Sequence, residues 1–434
     1  MKTLNLSLLG PKQYSIVAYT VQLGLGFLSF LIVLRKCSVE LLGWWVLYMS
    51  LISIADQARN GLIQNGMIRL LKKHPRQLAQ IYGSALSLTW MASLCLALIL
   101  MSIFWFYGIV AYLGEGSFLL LLLLFINSFF LQAYCKLRES ILMSRLAFGR
   151  LVISKLSFGL SFVIGILVLP SLSMLNLAFL QLLAWLVNTI LFWVFPIGQA
   201  QWNKKLFLDL WRFGRFTMGT NLGSMIYNKM DVLLLGSLMG PMAVAIYNVA
   251  TRLTNIVEIP LSSIAQYLYP QFAKSAIQQN TKQLSQQYEY GLQLVIVVMT
   301  PLCLGLFFFA DFIVELVAGA AYQESAIILK ILAIVVWLKP WGRFLGITLD
   351  AINKPDWNFY FLLCWTIVNA ILNLLFIPFW GVLGVAFATL LSLFMSTLIG
   401  QYWLSTMLPV GHIRILLNAW PTYFKQMKTR KIWI

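Results

Sequence analysis

The sequence predicts an all-α integral membrane protein with twelve transmembrane helices. These form two six-helix bundles related by a pseudo-two-fold axis along the membrane normal. Three observations carry this prediction. Of 434 residues, 61% are hydrophobic and only 10% are charged, whereas an average soluble protein carries about 25% charged residues. A soluble core cannot hide so much apolar area and a soluble surface cannot show it, which excludes a soluble enzyme, a secreted disulfide scaffold and a disordered chain. Runs of mostly apolar residues about as long as a bilayer crossing, roughly 20 residues, recur twelve times. Finally, Lys and Arg fall almost wholly on one side of those runs.

The runs lie at 14–34, 41–66, 78–106, 117–135, 151–169, 174–196, 214–238, 243–267, 289–309, 325–349, 358–378 and 382–404. Residues 1–13 lack the apolar core and small-residue cleavage site of a signal peptide, so the first run is expected to stay and serve as the insertion signal. With the N-terminus inside, the inner segments hold 23 Lys and Arg and the outer ones hold 2, Arg35 and Lys36. This bias puts both ends in the cytoplasm. The inner segment 136–155 alone contributes five of the 23. The expected organisation is a bundle at 1–198, a basic cytoplasmic linker at 199–213, a second bundle at 214–404 and a basic tail at 405–434. No loop is long enough for an extramembrane domain.

Catalytic signatures are missing. There is no GxxxxGK[ST] phosphate loop, HExxH or GxSxG. The five Cys form no CxxC and read as small apolar packers, and His74 and His412 read as solvated loop residues. No enzyme, cofactor, metal site or nucleic-acid partner is expected. The chain moves something across the membrane or scaffolds an assembly there.

Charges inside the runs cost about 2.5–3.5 kcal/mol each near the bilayer centre, so they mark function by default. Six are basic (Arg59, Lys229, Arg252, Lys330, Lys339, Arg343) and three are acidic (Asp56, Asp231, Glu258). Polar residues share helix faces with them. Ser53, Asp56, Asn60 and Gln64 lie along the second run, with Arg59 at the stripe's edge. Asn221, Ser224, Asn228 and Asp231 lie along the seventh, and Asn248, Arg252, Asn255, Glu258 and Ser262 along the eighth. Gln181, Trp185 and Asn188 in the sixth, and Trp365, Asn369 and Asn373 in the eleventh, extend the pattern. Asn, Gln and Ser so placed also serve as hydrogen-bonding glue between helices, and Asp56–Arg59 reads equally as a structural pair on one face. Pro340 is expected to kink the tenth run. The excess of basic charge points to an anionic substrate. A drug or cation antiporter would want the opposite sign.

The two halves align loosely. Residues 41–56 and 243–258 share a pattern that sets Trp45 against Tyr247 and Asp56 against Glu258. Both halves start inside with an even number of runs, which makes parallel repeats.

Three stretches carry a family likeness: NAILNLLFIPFWGVLGVAFATLLS (369–392), MDVLLLGSLMGPMAVAIYNVATRL (230–253) and YPQFAKS (269–275). With span count, length and charge layout, they make the chain resemble the Wzx-type polysaccharide flippases of the multidrug/oligosaccharidyl-lipid/polysaccharide exporter superfamily. The resemblance implies that undecaprenyl-pyrophosphate-linked oligosaccharide crosses from the cytoplasmic to the outer leaflet of the bacterial inner membrane by alternating access, coupled to an ion or proton gradient. Membrane lipids, and the polymerase and chain-length proteins of a polysaccharide pathway, are the implied partners. Related MurJ-type lipid II flippases engage the pyrophosphate through Arg in the second and eighth spans, where this chain has Arg59 and Arg252. The Arg-Asp pair of their first span is replaced by Tyr19, Gln22 and Ser29, and their two extra C-terminal spans are missing. On this reading Arg59, Lys229, Arg252 and Lys330 form a cationic cavity for the diphosphate. Asp56, Asp231 and Glu258 are the coupling carboxylates. Asn60, Gln64, Asn221, Asn228, Asn248 and Asn255 line the path. The alternative is a cation-coupled multidrug antiporter of the same fold.

Overall fold

A computed structural model describes residues 11–106, 112–194, 199–411, 415 and 419–421. His412 and most of the expected basic tail lie outside them. The described residues are helical, with no strand among them. Nine helices among the described residues are long and apolar enough to cross a membrane, which makes the chain a multi-pass membrane protein. The chain folds as two compact units, Met1–Leu233 and Leu234–Ile434.

The first unit holds α1 (Pro11–Lys36), α2 (Val39–Lys73), α3 (Leu78–Phe106), α4 (Glu115–Ser144), α5 (Phe148–Val168), α6 (Met174–Val194) and most of α7 (Lys204–Leu238). Ser38 caps α2 by accepting the Leu41 amide, which satisfies one of the free N–H groups of the first turn. Lys36 closes the end of α5: its Nζ donates to the carbonyls of Ile166, Leu167 and Leu169 at 2.9, 3.1 and 2.9 Å. A cation there meets the negative end of the helix dipole, and the contact ties α1 to α5. Without lateral hydrophobic drive in lipid, helices associate through close packing of small residues. A Cβ at Gly214 of α7 would lie 1.9 Å from the Leu62 carbonyl of α2, and one at Gly61 would lie 2.6 Å from the Thr217 carbonyl. Thr217 Oγ1 donates to the Gly61 carbonyl at 2.5 Å. Two backbones thus touch where only glycine fits.

Two expectations need correction here. An apolar run ending at residue 135 predicts a cytoplasmic loop at 136–155. Instead α4 runs on to Ser144 and α5 starts at Phe148, so only a tight turn separates them, with Leu146 at φ 56°. Charge at 136–139 suggests a loop, whereas those side chains are held inside the unit. The residues at 204–213, expected to be linker, form the first turns of α7. Asn203 starts this helix by accepting the amides of Lys205 and Leu206.

The second unit holds the end of α7, then α8 (Pro241–Val257), α9 (Ile259–Ile277), α10 (Thr281–Phe308), the short α11 (Ala310–Ala318), α12 (Glu324–Ala351) and α13 (Pro355–Met407). The expected single helix at 243–267 is broken at Glu258, where α8 ends and α9 begins. Pro260 in the first turn of α9 has no N–H to continue the α8 ladder. The expected eleventh and twelfth runs are the two helical arms of α13, which meet at Gly381, where φ 57° and ψ −132° are not helical. A side chain would be strained there. Pro340 lies buried within a continuous α12. That helix is the hub of the unit. Ser325 Oγ donates to the Ile246 carbonyl of α8 at 2.8 Å, and Trp337 Nε1 donates to Thr300 Oγ1 of α10 at 3.0 Å. Around it Phe272, Tyr288, Leu292, Val336 and Phe344 form a dry core.

Candidate functional site: a cationic cavity in the first unit

A cavity of about 340 Å3 opens among α1, α2, α4 and α5. Its polar lining comes from Tyr19 and Gln22 on α1, Gln57, Asn60 and Gln64 on α2, Lys136, Glu139 and Ser140 on α4, and Lys155 on α5. A polar side chain facing hydrocarbon lacks a partner and is costly, so helices with such stripes turn them inward.

Glu139 is the pivot. It is 2% exposed and sits between two lysines, with Lys155 Nζ at 2.7 Å and Lys136 Nζ at 3.6 Å from its Oε2. Ser154 Oγ donates to its other oxygen at 3.1 Å and also lies 3.1 Å from Asn188 Oδ1. Ser157 donates to the same Asn188 oxygen at 3.3 Å. The network therefore crosses α4, α5 and α6. One carboxylate shared by two ammonium groups leaves a net positive charge on the cavity wall. Attraction is strong at low dielectric, so the excess charge favours an anionic guest.

Beside it, Asp56 pairs with Arg59 on the same face of α2. Arg59 is 2% exposed. Its remaining donors reach Ser93 Oγ at 3.3 Å and the Phe129 carbonyl at 3.4 Å, and its guanidinium lies 4.6 Å from the Phe129 ring centre. Asn60 Nδ2 donates to Asp56 at 3.3 Å, and Gln64 Nε2 approaches Met143 Sδ at 3.6 Å. Arg138, behind the cavity, is buried and donates to the Phe192 carbonyl at 2.7 Å. The Arg59 guanidinium is thus held on three sides, by Asp56, by Ser93 and by the Phe129 ring and carbonyl.

The other expected site residues scatter. On α7, Asn221 Nδ2 donates to the Gln57 carbonyl at 3.4 Å, which ties it to α2 near the cavity. Asn228 donates to its own helix at the Ser224 carbonyl. Lys229 and Asp231 lie half-buried further along α7. In the second unit Arg252 and Asn255 are exposed on α8, while Asn248 is buried. Glu258 pairs with Lys339 of α12. Lys330 is held at 2.6 Å by Asp311 of α11, and both are substantially exposed. Gln181, Trp185 and Asn188 on α6 are buried, as are Asn369 and Asn373 on α13. Asn188 and the Asn369–Asn373 pair, bonded at 3.0 Å, act as glue between or along helices.

Lys136, Glu139 and Lys155 are the site residues that sequence reasoning missed. A signal existed. Gln132, Lys136, Glu139, Ser140 and Met143 recur at helical spacing, a polar stripe of the kind used to read α2. Counting Lys136, Arg138 and Lys155 as loop charges hid it. Removing these three from the inner side leaves the charge bias large.

The fold is similar to that of a lipid II flippase MurJ in an inward closed conformation, with a TM-score of 0.74, at 16% identity over 96% of this chain and 92% of that one. An inward-facing multidrug resistance MATE family transporter of the MOP superfamily matches with a TM-score of 0.69, at 14% identity over 95% and 96%. Residues 32–327 match the family described as Polysaccharide biosynthesis protein, and the chain belongs to that family. Among curated relatives, the "Probable low-salt glycan biosynthesis flippase Agl15" of Haloferax volcanii is 26% identical over 393 residues, covering 89% of this chain and 81% of the relative.

Proposed function

We propose that this protein is a flippase for lipid-linked oligosaccharide in surface polysaccharide biosynthesis. It carries undecaprenyl-pyrophosphate-linked repeat units from the cytoplasmic to the outer leaflet by alternating access. The observation that carries the reading is the Lys136–Glu139–Lys155 cluster on a 340 Å3 cavity, in a chain of a polysaccharide biosynthesis family. The lysines offer charge-assisted donors to a diphosphate, and the amide side chains and Tyr19 offer hydrogen bonds to sugar hydroxyls. In this reading Arg252, with Asn255 on the same helix, and Lys229 supply further positive charge along the path. Arg59 positions Asp56, and Lys330 drops out because Asp311 occupies it. Asp56, Asp231 and Glu258 remain the coupling carboxylates, for a proton or another cation.

The reading includes twelve crossings with both termini cytoplasmic, in a bacterial inner membrane. Helices α1 to α6 give six. The others are α7, the broken α8–α9, α10, α12 and the two arms of α13 on either side of Gly381. Helix α7 misses a simple apolar count because of its polar stripe, and α8 because it has only 17 residues.

The test is a flipping assay in proteoliposomes with a fluorescent prenyl-pyrophosphate oligosaccharide. Wild type is expected to transport it. Lys136→Gln/Glu139→Gln/Lys155→Gln, which leaves no buried charge unpaired, is expected to lose at least tenfold in rate while still eluting as a folded protein, because each charge-assisted hydrogen bond contributes about 1.5–3 kcal/mol. Arg252→Ala is expected to lose transport as well, and Lys330→Gln to keep it. A wild-type protein that ignores the lipid-linked glycan and exchanges an organic cation instead would overturn the reading.

A further inference from the structure

The first unit holds a second and larger cavity, about 660 Å3, where the last turns of α2 meet the first turns of α7. Arg69, Lys73 and His74 line it from α2, and Lys205, Asp209 and Arg212 from α7. Arg69 and Lys73 are four residues apart, and Lys205, Asp209 and Arg212 follow at spacings of four and three, so each set projects from one helix face. Four permanent cations thus converge on one concave space with a single carboxylate. None of the four makes an ion pair among the described residues. The Arg69 guanidinium lies over the Phe213 ring, 4.6 Å from its centre, a contact that fixes its plane and spends none of its N–H donors.

Helix stability does not account for this arrangement. Lys204 and Lys205 sit in the first turn of α7, where no acidic residue balances them. That turn is the positive end of the helix dipole, so cations there are unfavourable and an anion is welcome. The positive-inside bias places Lys and Arg at these span ends, and all four are exposed, but it does not require those of two helices to face one space, where they repel each other. An anion bound between them removes both costs.

We infer that this cavity is a diphosphate-binding site, separate from the cavity at Lys136 and Lys155. The volume lies in the range of small-molecule sites and exceeds what one phosphate fills, which leaves room for the group the diphosphate carries. That group is either a prenyl chain entering from the membrane or a soluble sugar nucleotide. The binding chemistry is the same for both and does not depend on whether the chain flips lipid.

The full-length protein in detergent, titrated calorimetrically with inorganic pyrophosphate at low salt, is expected to show saturable binding. That binding should weaken as salt screens the cations. Arg69→Gln/Arg212→Gln is expected to weaken it tenfold or more. Asp209→Asn is expected to tighten it several-fold, a gain that misfolding cannot produce, and Lys330→Gln to leave it unchanged. Competition identifies the source: stronger displacement by farnesyl diphosphate assigns the site to a lipid, and stronger displacement by UDP-glucose to a soluble nucleotide. Absence of saturable binding, or binding undiminished in Arg69→Gln/Arg212→Gln and unimproved in Asp209→Asn, would overturn the inference. The flipping assay reads transport independently, so failure of one leaves the other standing.

Discussion

The two units pair acid with base in different ways. In the first, Asp56 is neutralised within its own helix by Arg59, and Glu139 is shared by lysines from two helices. The side chains of Arg59 and Glu139 are 2% and 3% exposed, and basic groups outnumber acidic ones. In the second, two acids each meet one base from another helix: Glu258 meets Lys339 and Asp311 meets Lys330, with side-chain exposures of 25% to 56%. A buried ion cluster is expensive unless its geometry is well satisfied, whereas an exposed pair contributes little. The first unit therefore commits packing to holding charge.

The largest expected effect breaks this contrast or upholds it. Glu139→Gln leaves two ammonium groups facing each other without their anion. It is expected to cost about 3–5 kcal/mol of stability, read as a lower unfolding temperature in detergent. Glu258→Gln, the matching change in the second unit, is expected to cost at most about 1 kcal/mol. Equal losses in the two variants would show that the units do not differ in this respect.

Packing gives the next effect. Gly214→Ala puts a methyl 1.9 Å from the Leu62 carbonyl and forces α2 and α7 apart. Overpacking of this kind costs about 1–3 kcal/mol, and a thermal melt of the purified variant checks it. Gly381→Ala in the second unit strains one residue instead of a helix contact. Its expected cost is about 1–3 kcal/mol, and a crosslink between the two arms of α13, if unaffected by the change, would show that the bend does not depend on glycine.

The smallest effect is kinetic. Burial pushes the Cys37 thiol, between α1 and α2, from 9.0 up to about 11. A raised pKa means less thiolate at pH 8, about a hundredfold less than for an ordinary thiol. Labelling by an impermeant maleimide is expected to be slow at pH 8 and to accelerate as pH rises towards 11. Label that enters from the outer side of right-side-out vesicles supports the proposed orientation, and label from the inner side reverses it.

Much of the fold is legible in the sequence because it rests on local quantities. Apolar runs about 20 residues long and the charge bias around them give helices and a membrane. Errors arise where a local signal is ambiguous. Charge at Lys136 and Glu139 looks like a loop until α5 is seen to supply Lys155. Glu258 lies in an apolar run, yet Pro260 breaks the helix there. Lys330 looks like a cavity cation, and Asp311, 19 residues away along the chain, claims it.

The sequence by itself determined an all-helical membrane protein with an excess of basic charge within its spans, because hydropathy and charge add along the chain. Only the tertiary structure decided which charges meet. Asp56 and Arg59 are three residues apart, but Lys155 reaches Glu139 across 16 residues and Lys339 reaches Glu258 across 81. Pairing in a low dielectric depends on distance in space, and helix packing alone sets that distance.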